Sequence, residues 1–287
     1  MNIDVHDVRK SYGAVPALAG VSMNVPSGTK VALIGPNGSG KSTLIRVLMG
    51  LVAYRGEVRL DGLSPFRDRV ALARRMAYVP QVAPRMRASV DEVVRMVCRV
   101  RGLARRAVAE AASDFELDID EVATRPMHGL SGGMKQKLLV ALALAARAEL
   151  LILDEPTASL DARNRARFFR RIGEQAGATV LLCSHRLEEI EHMVDQVVEL
   201  RTGQVAFDGP AAAFLGARST SVLEVQAVNG HHAEWLLQNG FHRGARGIWF
   251  KAVSRSDKMS LLGQLAERFD GTVSNVVARD LETIDES

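Results

Sequence analysis

The chain has 287 residues, of which 47% are apolar and 24% charged, and its formal net charge at pH 7 is +4. These are the proportions of a soluble globular protein, with enough length for one large domain or two ordinary ones. The longest apolar stretch, Leu138 to Ala146, is too short to cross a bilayer, and the N-terminal residues show no secretory signal.

The N-terminal part of the chain predicts short strands. Residues 1 to about 30 alternate apolar and polar side chains in short runs, with turns at Tyr12-Gly13 and Pro26-Ser27-Gly28. This alternation is typical of antiparallel strands. The apolar run 31–34 predicts a buried strand, and residues 44–49 predict a helix. Another strand and turn are expected at 57–62.

The segment that joins the buried strand to this helix is a complete phosphate-binding loop. It consists of Gly35, Pro36, Asn37, Gly38, Ser39, Gly40, Lys41, Ser42 and Thr43. Its glycines allow backbone N–H groups to converge on phosphate oxygens, and the following helix adds its positive N-terminal end. We expect Lys41 to reach the β- and γ-phosphates and the Ser42 hydroxyl to bind Mg²⁺. An ordinary glycine-rich turn is the alternative, but the complete motif predicts binding of a nucleoside triphosphate.

Residues 85 to about 129 predict a helical insert. Apolar side chains recur there at helical spacing, at Val90, Val93, Val94, Val97 and Val100. The stretch 67–106 holds eleven arginines against three acids. That excess fits a solvated arginine-rich face, or a docking surface for an acidic partner loop or for lipid headgroups. Nucleic acid is a weaker alternative, because the run lacks an array of stacking aromatic rings.

Two later segments carry further phosphate chemistry. Ser131-Gly132-Gly133 precedes a long helical pattern and so predicts a second anion-binding helix N-terminus. It would serve either a second phosphate of the same chain or a nucleotide held by another subunit. The apolar run 150–153 predicts a buried parallel strand that ends in Asp154 and Glu155. We expect Asp154 to hold Mg²⁺ through a water and Glu155 to polarise the attacking water.

In their order and spacing these motifs resemble those of the ABC (ATP-binding cassette) ATPases, over about residues 3–215. The resemblance implies an α/β fold, the P-loop NTPase cassette. Such a cassette has a parallel-sheet core, an antiparallel β subdomain and a helical subdomain, here at about 85–135. It also implies ATP hydrolysis with Mg²⁺. Ser131, Gly132 and Gly133 would contact the ATP of a partner subunit across a head-to-tail dimer.

Four more positions match the family's pattern one by one. Tyr12 matches an aromatic ring that stacks on adenine, and Gln81 matches a glutamine that touches Mg²⁺ and links the core to the helical subdomain. Asp161 lies in the loop that crosses the dimer interface, and His185 matches the histidine that senses the γ-phosphate. Taken alone, these residues have ordinary alternatives, such as a surface aromatic, a loop amide or a strand-end histidine. Their shared order supports the resemblance.

The remaining residues predict a second domain. We expect the cassette to span 1–216 and a small C-terminal α/β appendage to span 217–287, with a polar linker at 216–221. The pattern of apolar residues in the appendage predicts the order strand–helix–strand–helix–strand. His231-His232 lacks a third ligand at metal-binding spacing, so we expect no metal there. Asp280-Leu281-Glu282, together with Met134 where most of the family has Gln, resembles exporter ATPases with a separate six-helix permease.

The resemblance also implies partners and a location. We expect a second ATP-binding subunit in a homodimer, a separately encoded integral-membrane permease, and a peripheral position on the cytoplasmic face of the plasma (inner) membrane. No nucleic acid partner is expected. The alternative is a soluble ABC ATPase that acts on nucleic acid or ribosomes without transport. Such proteins usually carry two cassettes or a long coiled-coil insertion, and this chain has one phosphate loop.

Overall fold

The computed structural model describes residues 1–184, 193–218, 220–227, 232–243, 248–268 and 273–281. The chain forms two compact units, residues 1–211 and residues 212–287. Within these described ranges, no helix is both long enough and apolar enough to cross a membrane.

The first unit alternates strands and helices around two sheets. Its strands are β1 (Ile3–Tyr12), β2 (Val15–Val25), β3 (Lys30–Ile34), β4 (Arg55–Leu60), β5 (Met76–Val79), β6 (Leu150–Asp154), β7 (Thr179–Cys183), β8 (Gln196–Arg201) and β9 (Gln204–Pro210). Its helices are α1 (Lys41–Leu48), α2 (Arg69–Arg75), α3 (Val90–Arg101), α4 (Arg105–Ser113), α5 (Gly132–Ala145) and α6 (Ala162–Gly173).

A six-stranded sheet forms the centre of this unit, in the order β5-β6-β7-β3-β8-β9. The first five strands are parallel, and β9 returns antiparallel beside β8. Strands β6 and β7 are buried along their whole length, which explains their unbroken apolar runs. Since parallel strands end at one edge, the C-terminal ends of β3, β6 and β7 lie along the same edge of the sheet, where α/β proteins bind ligands.

The predicted antiparallel strands form a separate sheet in the order β2-β1-β4. The predicted helical insert is also present, as α3, α4 and the start of α5. Helix α3 begins with a capping box in which Ser89 and Glu92 exchange hydrogen bonds. Val90, Val93 and Val94 are buried, whereas Val100 at the end of the predicted stripe is 69% exposed.

The described part of the second unit contains a four-stranded antiparallel sheet, with one helix after β10 and another after β12. Its elements are β10 (Thr220–Ala227), α8 (Ala233–Gln238), β11 (His242–Arg243), β12 (Ile248–Ser254), α9 (Arg255–Arg268) and β13 (Val273–Leu281). The sheet order β11-β12-β10-β13 gives a split β-α-β arrangement. Its core consists of Leu223, Val225, Leu236, Phe241, Trp249, Val253, Leu261 and Leu265. The two-residue strand β11 was absent from the sequence prediction.

The predicted linker at 216–221 is wrong. Helix α7 (Ala211–Arg218) runs through Gly216, and β10 begins at Thr220. Three successive alanines at 211–213 explain the helix, because alanine has the highest helix propensity. Ser219 lies outside the described residues.

Candidate nucleotide-binding site

The phosphate loop, residues 35–43, has a backbone that only glycine tolerates at its critical points. Gly35 and Gly40 have φ values of 141° and 109°, in the left-handed region. A Cβ at Gly35 would overlap the Leu200 carbonyl oxygen, and one at Gly40 would lie 2.5 Å from the Ala17 carbonyl oxygen. The glycines therefore permit both the curvature of the loop and its close contact with neighbouring backbone.

Lys41, the first residue of α1, folds back over this loop. Its Nζ donates hydrogen bonds to the Gly35 carbonyl and, at 3.0 Å, to the Pro36 carbonyl. The first turn of α1 contains no acidic residue, so its positive end is not neutralised locally. Asn37, Gly38 and Ser42 are exposed. The loop thus combines an ammonium group, a helix N-terminus and accessible backbone, which suits a phosphate chain.

The β8–β9 hairpin supports the loop from the side. The Gly203 N–H donates to the Ser39 carbonyl at 3.0 Å, and the Gly203 carbonyl accepts from the Ala19 N–H at 2.7 Å. The Ser39 side chain is buried, and its Oγ has no hydrogen-bond partner within the described part of the chain. An orphaned hydroxyl in a phosphate loop fits a donor that completes its bonding with a phosphate oxygen.

Asp154 ends β6 at the same edge of the sheet, separated from β3 by β7. Burial raises the pKa of its carboxyl, while the Tyr78 hydroxyl, 3.5 Å from Oδ2, and the charge of Lys41 act in the opposite direction. Burial, reinforced by the Asp154 charge, raises the pKa of Tyr78 to about 12, so this phenol remains a donor at neutral pH.

Glu155 follows with an unusual backbone. Its φ is 46°, in the left-handed region, and its N–H donates to the Cys183 carbonyl at 3.0 Å. Such a conformation is costly for a non-glycine residue and is common at functional positions. The hydrogen bond to the end of β7 directs the chain out of the sheet, so the backbone position of Glu155 is set by two neighbouring strands.

Ser131 begins α5 as predicted for a helix N-terminus. Its Oγ accepts a hydrogen bond from the Met134 N–H at 3.2 Å, and the first turn of α5 has no acidic residue. Ser131 and Gly132 are exposed. A Cβ at Gly133 would lie 3.2 Å from the Ser159 carbonyl oxygen. The fold therefore places this N-terminus directly beside the loop that leads to Asp161.

Asp161 caps the next helix, α6. Its two carboxylate oxygens accept from the backbone N–H and the side-chain amide of Asn164, each at 2.8 Å. The backbone hydrogen bond from Asn164 lowers the pKa of Asp161. The carboxylate thus stays charged at neutral pH and fixes the start of α6.

Two other predicted residues, Tyr12 and Gln81, are at the surface. Tyr12 is 45% exposed at the end of β1, with Lys10 Nζ 5.1 Å from its ring centre. Gln81 is exposed just after β5, the strand next to β6. His185 lies outside the described residues.

Gln136 was missed by the sequence prediction. It is buried on α5, and its side-chain amide donates to the Pro156 carbonyl at 2.9 Å. This bond connects the helix that begins at Ser131 with the segment after Glu155. Its only sequence signal is a polar residue on the buried side of α5, where the other buried side chains are apolar.

We expect Gln136→Leu to destabilise the first unit by about 1–3 kcal/mol, because a buried carbonyl would lose its donor. Chemical unfolding, followed by circular dichroism, measures this. The matched control is Gln175→Leu, at a half-buried glutamine whose contact with the Arg171 carbonyl is 3.5 Å long. An equal loss in both variants would contradict the special role of the Gln136 bond.

The arrangement of phosphate loop, helix N-terminus and strand-end carboxylates defines a P-loop nucleoside triphosphatase. The sequence profile described as ABC transporter matches residues 18–158. The chain is 39% identical over 203 residues to the zinc import ATP-binding protein ZnuC of Alkalilimnicola ehrlichii, covering 69% of this chain and 73% of that protein. The chain therefore belongs to the ABC transporter family and is an ATP-binding subunit with ATPase activity.

Two further comparisons extend this result. The Nod factor export ATP-binding protein I of Rhizobium meliloti is 34% identical over 244 residues, covering 82% of this chain and 72% of that protein. A dimeric ATP-binding cassette in a post-hydrolysis state, bound to ADP and Pi, superposes with a TM-score of 0.65 at 25% identity. That superposition covers 73% of this chain and 98% of the other. ATP-binding subunits of this family dimerise and work with a membrane permease.

Proposed function

We propose that two copies of this chain close around two ATP molecules and drive a separately encoded membrane permease in the direction of export. One observation is the main support for a site shared between two chains. Besides its phosphate loop, the chain presents a second helix N-terminus at Ser131, exposed, serine-capped and free of acidic residues in its first turn. Two anion-binding sites of this kind suit opposite sides of one triphosphate. Each ATP would lie between residues 35–43 of one chain and Ser131-Gly132-Gly133 of the other.

The residues of one chain divide the chemistry. Lys41 and the loop amides hold the phosphates, and Tyr12 stacks on adenine. Glu155 orients the attacking water and accepts its proton, and His185 contacts the γ-phosphate. Asp161 crosses to the partner subunit and relays between the two sites. Since two positively polarised helix ends meet at the γ-phosphate, hydrolysis removes the charge that holds the chains together.

A magnesium ion fits the remaining donors. Ser42, Gln81 and Asp154 offer hydroxyl, amide and carboxylate oxygens, which are the ligands that Mg²⁺ prefers. Within the described ranges, no group of three or more His, Cys, Asp and Glu side chains could hold a metal unaided. Phosphate oxygens would therefore complete the coordination, as is usual for Mg²⁺ at a triphosphate. The ion supplies charge neutralisation at the β- and γ-phosphates.

The surface formed by Phe66, Arg67, α2, α3 and the segment between these two helices suits a permease. It exposes the apolar side chains Phe66, Val70, Val82, Met96 and Val100, at 52–77%. It also exposes Arg67, Arg69, Arg74, Arg85, Arg87 and Arg99. Arg101 joins the ends of the two helices by donating to the Arg74 carbonyl at 3.2 Å. A surface with exposed apolar and basic side chains is better suited to binding an amphipathic cytoplasmic segment of a membrane protein than to remaining exposed to solvent.

Two observations support export over import. The similarity to the Nod factor export protein extends over 82% of this chain, against 69% for the zinc import protein. Met134 and the motif Asp280-Leu281-Glu282 also resemble the corresponding positions of exporter ATPases. A separate permease would place the chain on the cytoplasmic face of the plasma (inner) membrane. ATP-driven accumulation of substrate in inverted membrane vesicles would support export, and ATP-driven release from them would contradict it.

We expect Met96→Glu to abolish membrane recovery of the chain in cells that also express the partner permease. The new carboxylate would have to be desolvated in the interface. ATP hydrolysis by the isolated chain should stay unchanged. Met259→Glu is the matched control, because Met259 is 72% exposed and lies on α9 of the second unit. Membrane recovery that survives Met96→Glu, or that is equally lost in the control, would argue against this docking surface.

A further inference from the structure

Three arginines on one face of α6 bind the turn that ends α4. They are Arg163, Arg167 and Arg171, spaced four residues apart and therefore aligned along the helix. Arg163 and Arg167 both contact Glu116 Oε1, at 3.0 and 2.9 Å, and Arg171 Nε lies 3.0 Å from Asp114 Oδ2. We call these three arginines with Asp114 and Glu116 the arginine ladder.

The turn that carries the ladder's acids is strained. The Leu117 N–H donates to the Ala112 carbonyl at 3.1 Å and the Glu116 N–H to the Ser113 carbonyl at 3.0 Å, which is the Schellman pattern of a helix end. Glu116 thus occupies the position that normally takes glycine, and its φ is 57°. A glutamate there has an unfavourable backbone conformation that glycine would avoid. Its side chain, rather than local stability, explains its presence.

The ladder also neutralises a helix end. Arg167 donates from Nη1 to the Asp114 carbonyl at 3.2 Å, at the C-terminus of α4. Cations are favourable at this negative pole of a helix. Arg167 is only 22% exposed, so its charge is held mainly by these partners rather than by water. Arg167 is therefore the central rung of the ladder.

The two elements that the ladder joins each lead to a part of the two-chain site. Helix α4 packs on α5 through buried residues that include Val108, Ala112, Leu138 and Ala141. Helix α5 begins at the Ser131 cap, and α6 begins at the Asp161 cap. The near ends of these helices already meet where Gly133 approaches Ser159. The ladder adds a second attachment, which continues along α6 to Arg171, and two attachments are needed to fix an orientation.

We propose that the arginine ladder positions the Ser131-Gly132-Gly133 terminus relative to Asp161, so that both reach the partner's ATP together. This inference rests on the proposed two-chain site. Glu116 and the arginines are positioning residues, because they touch neither phosphate nor the attacking water. Their loss leaves the phosphate loop intact but lets α4 and α5 shift against α6. Binding of ATP to one chain then stays unchanged, while hydrolysis across the interface slows.

Glu116→Gly tests this proposal, because it removes the contacts of Arg163 and Arg167 with the Glu116 carboxylate and relieves the strained turn at the same time. We expect kcat to fall about fivefold with KM for ATP unchanged. A rate change of this size matches the coupling energies that are typical of residues in contact. The melting temperature should stay equal or rise, since half-exposed ion pairs contribute little stability. A merely structural role predicts the reverse, a lower melting temperature with an unchanged kcat.

Two further variants complete the experiment. Arg167→Gln should lower kcat similarly, and the double variant should lose less than the two single losses combined. Glu110→Gln is the matched control, because Glu110 pairs with Arg106 on the same helix, at 2.6 Å, and bridges no elements. It should keep the parent kcat.

Different results would overturn the proposal for the arginine ladder and the proposal for the two-chain site. A kcat within error of the parent in both Glu116→Gly and Arg167→Gln overturns the ladder alone. Failure of Glu155→Gln to form an ATP-dependent dimer overturns the two-chain site and the ladder with it.

Discussion

Glu155→Gln is expected to lower the rate of ATP hydrolysis about 100-fold or more, the usual contribution of a general base. The amide has the size of the carboxylate but cannot accept a proton from the attacking water. The backbone should stay in place, because the hydrogen bond from its N–H to the Cys183 carbonyl does not involve the side chain. ATP binding at Lys41 should therefore be unchanged, and unhydrolysed ATP should hold two chains together.

Size-exclusion chromatography with light scattering, with and without ATP, detects this dimer, and phosphate release measures the rate. Glu149→Gln is the matched control. Glu149 precedes the same strand, β6, but lies at its opposite end, where it pairs with Arg75. The control should hydrolyse ATP at the parent rate without a stable dimer. If Glu155→Gln hydrolyses ATP at the parent rate, another group activates the water.

Features that depend on adjacent residues could be predicted from the sequence. The phosphate loop follows strand β3 and opens α1 because Gly35, Gly38 and Gly40 permit positive φ and Lys41 begins a helix. Ser131 starts α5 because its side chain can bond the Met134 N–H. In both places the contacts that determine the structure join residues only a few positions apart, so the local residue types are enough to predict it. The roles of these residues at ATP remain predictions.

Contacts between distant residues could not be predicted in this way. Gln136 and Pro156 are 20 positions apart, and Arg167 and Asp114 are 53 apart. Nothing in the local sequence of either partner identifies the other, because the pairing is set by how α5, α6 and the sheet pack. The support of Ser39 by Gly203 has the same origin.

The prediction of a linker at 216–221 was wrong for a different reason. Small and polar residues such as Gly216 and Ser221 suggested a linker, but the preceding alanines extend a helix and β10 pairs with both β12 and β13. Sheet pairing outweighed local composition there. His185 falls outside the described residues, so its predicted contact with the γ-phosphate is unchanged by the structure.

Gly133→Asp is expected to lower hydrolysis about 100-fold while leaving ATP binding by the single chain intact. A carboxylate at this N-terminus would face the partner's γ-phosphate, and like charges in an interface cost several kcal/mol. Its Cβ would also press on the Ser159 carbonyl, 3.2 Å away. Gly129→Asp is the matched control, because it adds the same charge before the Ser131 cap. A Cβ at residue 129 would lie 3.4 Å from Pro126 Cγ, which is an ordinary van der Waals distance. The control should keep most of the parent rate.

Mixing two variants tests whether one site belongs to two chains. One protein carries Glu155→Gln with Gly133→Asp, and the other carries Glu155→Gln with Lys41→Ala. Neither should dimerise alone, because every site it forms would contain a defective half. In the mixture, the intact loop of the first can pair with the intact Ser131-Gly132-Gly133 of the second. ATP should therefore produce a heterodimer, measurable by light scattering or cross-linking. A mixture that stays monomeric, while Glu155→Gln alone dimerises, would mean that the two halves do not meet across chains.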